Sequence, residues 1–254
     1  MRSTRVALVF FLLLIVPDVA FAQTAGGGSG VFGNVPGISI SGEEDFELPV
    51  QILLLLTVLS LAPAIIILMT SFTRLVVVFS ILRTALGTQQ SPPTQVIIGL
   101  SLFLTMFIMY PVLENINTNA LQPYLEQEIT QKEAFDRALR PMKKFMINQT
   151  REKDLLLFMD LADQTTYAQP EDVPLHVVVP AFVISELRIA FQIGFLIFLP
   201  FLVVDLLVAS VLMSMGMMML PPIMISLPLK LLLFVLTDGW YLIVESIVQG
   251  YAVT

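Results

Sequence analysis

The stretch LPVQILLLLTVLSLAPAIIILMTSFT, residues 48–73, runs for 26 residues without a charged side chain. As a helix it would extend about 39 Å, against a bilayer hydrocarbon core of roughly 30 Å. It therefore predicts a membrane-length helix, with Pro63 bending it, because neighbouring helices can satisfy the carbonyl that proline leaves free. Arg74 and Arg83 bracket the next apolar turns, Ser91-Pro92-Pro93 ends them, and a second apolar run covers residues 96–113. Residues 48–113 are thus expected to form a first apolar helical hairpin. Two arginines and no acid at the approach to its turn favour a cytoplasmic location for that turn.

The whole chain agrees with this reading. Of 254 residues, 56% are apolar and only 13% charged, with a mean hydropathy of +0.86; a soluble domain carries about 25% charged residues. With no Cys and a single His, disulfide scaffolds, thiol nucleophiles and Cys-type or poly-His metal centres are excluded. No cofactor is expected. The net charge of -7 and pI near 4.7 give no basic footprint for nucleic acid.

Residues 1–22 have the form of a secretory signal peptide: Arg2 and Arg5, an apolar run over 6–16, and Ala20-Phe21-Ala22 as a small-x-small cleavage site. The apolar run is too short to span a bilayer, so the mature chain is expected to begin at Gln23, outside the cytoplasm. Residues 23–47 are rich in Gly and Ser and poor in large apolar side chains, which predicts a disordered leader.

Charge concentrates in a polar block over residues 114–179. Of the chain's 33 charges, 18 fall between Glu114 and Asp172. The signal peptide and hairpin topology place this block in the periplasm, and its pattern predicts short helices. Thr130 and Glu133 form a capping box, Pro141 ends or resets that helix, and Thr150 caps another. The acids there are read as a solvated face, since no catalytic turn or His accompanies them. His176 has no partner ligand and is placed in an interhelix connection between Pro174 and Pro180.

Residues 180–254 are expected to form a second apolar hairpin, interrupted by Glu186, Arg188, Asp205, Lys230, Asp238 and Glu245. One unpaired charge near a bilayer centre costs about 2.5 to 3.5 kcal/mol, so these charges are expected to be buried in ion pairs. Six of the 13 methionines lie between Met213 and Met224, three of them consecutive at Met217, Met218 and Met219, with Gly216 before and Pro221-Pro222 after. Glycine and a proline pair open the backbone, which puts the triplet on a loop or broken-helix tip. Soft thioether chains there could close a pore against water, although composition alone favours gap-filling in a helix core.

Three motifs then carry a resemblance: SELRIAFQIGF at 185–195, GMMMLPP at 216–222 and LPLKLLLFVLTDGW at 227–240. With RLVVVFSILR at 74–83 and QTREKD at 149–154, they make the chain similar to the FliP family of flagellar type III export-gate proteins over nearly all of residues 23–254. The resemblance implies an all-α subunit of a helical, conical ring of about five copies, assembled with FliQ and FliR and adjoining FlhB and FlhA in the basal body of the bacterial inner membrane. It implies a channel for unfolded flagellar proteins and no enzyme activity. It also implies that Met217, Met218 and Met219 form a gasket around the closed pore, and that Glu186 and Lys230 pair between neighbouring subunits.

Other classes fit less well. The virulence-type SctR counterparts belong to the same superfamily. A small-molecule or ion transporter would show repeated halves with paired broken helices, and here the apolar halves are unequal. An intramembrane hydrolase needs a nucleophile with its base, and no such motif is present.

Overall fold

The computed structural model describes residues 53–252, apart from positions 54, 55, 58, 62, 63, 66, 89, 163–171, 218 and 219. Ala20, Ala22, Gln23, the leader and Pro63 lie outside the described residues. The described residues are helical, without a strand, as an all-α chain requires. Residues 1–65 and 66–254 form two separate units. In the first, the described residues from 53 onward are helical, and the Thr57 hydroxyl donates back to the Leu53 carbonyl at 2.7 Å.

The second unit carries the rest. The helix expected to run through residue 73 gives way at residues 69–71, where the Thr70 hydroxyl donates to the Ile67 carbonyl and offers the backbone a turn in place of another helical bond. Helix α1 then spans Phe72–Leu86. Gly87 ends it in the left-handed region at φ 76°, its N–H bonding the Thr84 carbonyl, a conformation that favours glycine. Helix α2, Thr94–Ile116, runs on through a π-helical turn, Asn117–Leu121, into the short α3, Gln122–Leu125.

The polar block supplies α4, Gln131–Gln149, and α5, Glu152–Leu161. Thr130 caps α4 as expected, accepting from the Glu133 N–H at 3.3 Å, while the Glu133 carboxylate pairs with Arg137 one turn on. Two local expectations are corrected. Pro141 lies inside α4 without ending it, and Thr150 closes α4 by donating to the Met146 carbonyl at 2.6 Å, leaving Arg151 as the cap position before α5.

Helix α6 is a single element of 40 residues, Leu175–Ser214, holding Pro180 and Pro200 within it. His176 sits exposed in its first turn, so the expected connection ends sooner than Pro180. Two shorter helices follow, α7 at Ile223–Leu236 and α8 at Gly239–Ala252, bent by 61° where they meet. Among the described residues two helices, the α2–α3 rod and α6, are each long and apolar enough to cross a membrane.

Two apolar clusters hold these elements. One packs α1 (Leu75, Phe79, Leu82) against α6 (Ala190, Phe201), α7 (Phe234) and α8 (Ile247). The other seats the polar block on the start of α6, with Met146 and Phe182 fully buried. Burying one such side chain contributes roughly 1.5–3 kcal/mol. Close approach of α1 to α6 depends on Gly194, where a Cβ would collide with the Ile81 side chain.

Candidate functional site

Polar side chains gather at two places on the apolar helices. The first joins α1, α4, α6 and α8. Arg74, from the first turn of α1, is 2% exposed and Glu186, from α6, is fully buried. Arg74 Nε donates to Glu186 Oε2 at 2.9 Å, and Nη2 donates to Glu186 Oε1 and to Gln149 Oε1, the latter at 3.3 Å. The Tyr251 hydroxyl donates to Glu186 Oε2 at 2.5 Å, and the guanidinium lies 3.9 Å from the centroid of the Tyr251 ring. A planar fork meeting a carboxylate with two parallel bonds, plus a ring face, is the arrangement that best offsets the desolvation of a buried ion pair.

This network continues into the polar block. Ser185, next to Glu186, donates to Asp154 Oδ2 at 2.7 Å and accepts the Arg151 N–H at 3.1 Å. Asp154 therefore both completes the network and places a negative charge in the first turn of α5, where the helix dipole favours it. A cavity of about 320 Å³ opens beside it, lined by Arg74, Gln149, Arg151, Ile189, Ile193 and Ile247 among others.

The second cluster joins α1, α6 and α7. Lys230 Nζ sits 2.6 Å from Asp205 Oδ2 and donates to the Ala85 carbonyl at 3.2 Å. That carbonyl belongs to the last turn of α1 and has no partner within its helix, so the ammonium caps the helix as well as neutralising Asp205. Glu186 and Asp205 are 19 residues apart on α6, a separation of about 28 Å. The chemistry of both clusters is one of clamping: each charge is matched, and among the described residues no group of three potential metal ligands occurs.

The pairing of Glu186 with Lys230 that the resemblance implies concerns two neighbouring subunits; within the chain Glu186 takes Arg74 and Lys230 takes Asp205. Arg188 and Asp238, expected to be buried, are exposed in this chain, and the Asp205 side chain is 40% exposed. Arg188 Nη1 comes only to 4.0 Å of Asp154 Oδ1. Asp238 occupies the turn between α7 and α8 at φ 50°. Sequence reasoning took Arg74 as one of two arginines bracketing apolar turns; a cation set between the charge-free run 48–73 and the apolar turns 75–82 was the signal that it needs a buried acid.

The methionine segment breaks the helix as expected. α6 ends at Ser214, Gly216 adopts φ 74°, and α7 begins at Ile223. Met213, Met215, Met217 and Met224 are exposed there. Met218 and Met219 lie outside the described residues.

Comparison with known proteins matches this architecture to one family. The FliP family model matches residues 55–247. A flagellar biosynthetic protein FliP of Bacillus subtilis (strain 168) is 58% identical over 213 residues, covering 84% of this chain and 96% of that protein. The protein of the same name from Pectobacterium carotovorum subsp. carotovorum is 48% identical, covering 99% and 94%. That of Aquifex aeolicus (strain VF5) is 51% identical, covering 87% and 94%. The family model runs through α1, the Lys230–Asp205 cluster, the first cluster as far as Glu186, Arg74 and Gln149, the broken tip and most of α8, and on that ground the chain belongs to the FliP family.

Proposed function

We propose that the chain is a core subunit of the flagellar type III protein export gate, assembling as about five copies with FliQ and FliR into the channel that passes unfolded flagellar proteins. One observation carries the assembly. Helix α6 is 40 residues long, about 60 Å, and presents exposed apolar side chains from Ile184 through Phe195 and Leu206 to Val211. A bilayer core covers roughly 30 Å of it. The exposed apolar face, from Ile184 to Val211, is about 40 Å long and outruns the bilayer core by about 10 Å, so protein must cover the remainder.

In this reading the complex belongs to the inner membrane and basal body, with the polar block on the periplasmic side and FlhB and FlhA as further neighbours. The family relatives, named as flagellar biosynthetic proteins, support the flagellar assignment. Met217 sits at the tip where α6 turns back, Met218 and Met219 follow it in sequence, and adaptable apolar side chains suit a seal that closes on itself and parts for any passing sequence. No group in either polar cluster is assigned a chemical step.

The test is the native mass and symmetry of the detergent-extracted particle from cells expressing the chain with FliQ and FliR. A closed particle holding about five copies is expected. A monodisperse single copy, with all partners present, would overturn the proposal.

A further inference from the structure

The cavity of about 320 Å³ beside the first polar cluster holds cations that the chain itself does not match. The guanidinium groups of Arg74 and Arg151 both line it, and no acidic side chain does. Arg74 directs Nε and Nη2 to Glu186 and Gln149, while its Nη1 donates to nothing among the described residues, although the side chain is only 3% exposed. The half-buried Arg151 side chain likewise makes no hydrogen bond or ion pair among the described residues; only its backbone N–H is engaged, by Ser185. The neighbouring acids are turned elsewhere, Asp154 accepting from Ser185 and facing Arg188, and Glu152 lying exposed. Gly250 shows where Nη1 points: a Cβ there would lie 3.8 Å from Nη1 and meet nothing else within 4 Å outside its own turn of α8.

A buried arginine with unused N–H groups is costly unless an acceptor reaches it. Two cations against the single anion Glu186 leave one positive charge over, which one carboxylate cancels, and the planar guanidinium matches the two oxygens of a carboxylate. The rest of the lining selects how that carboxylate arrives. Ile189 and Ile193 of α6 and Ile247 of α8 are apolar walls, which suit the aliphatic stem of an acidic side chain and offer nothing to a hydrated free ion. Ser246 and Gly250, four apart on α8, keep the exposed mouth unobstructed. Ile189 and Ile193 also belong to the stretch of α6 whose exposed apolar face outruns a bilayer core and takes protein as its cover.

We infer that this cavity receives a single carboxylate, from an Asp or Glu projecting out of an apolar segment of the neighbouring protein chain that covers α6. The carboxylate takes the Nη1 donors that Glu186 leaves unused and pairs with Arg151, so that Arg74 bridges an acid of its own chain and an acid of the neighbour. The inference rests on the assembly proposed above, and adds to it a socket and the chemistry of the group that fills it.

Arg151→Lys supplies an amine that a carbodiimide joins only to a carboxylate in direct contact, with no spacer between them. The full-length variant is expressed with FliQ and FliR, the particle is treated with a water-soluble carbodiimide, and links from position 151 are mapped by mass spectrometry. A link to an Asp or Glu of another chain is expected, and the mapped peptide names that chain, a second copy included. In parallel, Arg151→Met, and Gly250→Leu, which fills the mouth, should each lower the assembled fraction at least about tenfold, while Arg151→Lys stays within about threefold of the original. Gly250→Leu should leave the unfolding midpoint of the isolated, detergent-solubilised chain unchanged, because its side chain enters open space. An assembled particle in which position 151 links only within its own chain, or to nothing, overturns the inference while leaving the assembly standing; the cavity then holds a free anion, a lipid or water. Arg151→Met or Gly250→Leu particles that form as well as the original overturn it too, as does an Arg151→Lys chain that assembles no better than Arg151→Met. A wild-type chain that yields no particle instead defeats the assembly on which the inference rests.

Discussion

Removing one side of the Arg74–Glu186 pair should be among the most damaging single changes outside the apolar cores. Arg74→Met leaves a carboxylate at a fully buried position with one hydroxyl donor, from Tyr251, where it had three donating atoms. Glu186→Gln leaves a guanidinium that is 2% exposed facing a neutral amide. Breaking one partner of such a pair costs about 3–5 kcal/mol, because the remaining charge keeps its desolvation penalty without its compensation. Arg74→Met with Glu186→Leu removes both charges together. What remains is the loss of one Tyr251 and one Gln149 contact, each worth about 1–3 kcal/mol at most, so the double variant should be no worse than either single one and the coupling energy should be at least about 2 kcal/mol. Thermal or denaturant unfolding of the detergent-solubilised chain, followed by the fluorescence of Trp240, reads these differences. Single variants within about 1 kcal/mol of wild type, or a double variant equal to the sum of the singles, would refute the reasoning that a desolvated pair clamps α1 to α6.

Two further outcomes follow from the other clusters. At the second ion pair, Lys230 is buried but the Asp205 side chain is 40% exposed, so Asp205→Asn, which strands the buried ammonium, should destabilise more than Lys230→Met, which leaves an acid able to turn to solvent; the reverse order in an unfolding titration would contradict the assigned burial. At the tip, replacing Met217, Met218 and Met219 together by Ala should leave assembly intact yet raise the membrane's ion conductance, while Leu replacements preserve sealing; normal conductance in an assembled triple-Ala particle would make the triplet packing filler.

Much of the fold could be read directly from residue order because its determinants are local. Thr130 three residues before Glu133, Gly216 before Pro221-Pro222, and long charge-free runs act through neighbours in sequence, and the structure places a cap, a break and long helices there. Pro141, Pro180 and Pro200 were weaker guides. A proline removes one helical hydrogen bond at a cost of about 3 kcal/mol or more, and packing of Met146 and Phe182 or of Ala190 and Phe201 on either side can outweigh it, so α4 and α6 continue through.

Sequence alone also determined that the apolar helices contain charges needing partners, because the cost of an isolated charge depends on its apolar surroundings, and these are visible in the run of residues around it. Which partner each charge takes was decided only in three dimensions. Arg74 lies 112 positions from Glu186, and Lys230 lies 145 from Ala85, whose carbonyl it caps. Those distances close because Gly194 lets α1 approach α6, because α7 folds back to bring Lys230 to Asp205, and because the end of α8 returns Tyr251 to Glu186. Residue order specifies the helices and the charges they carry; the side-chain packing that sets helix rotation and height specifies which charges meet.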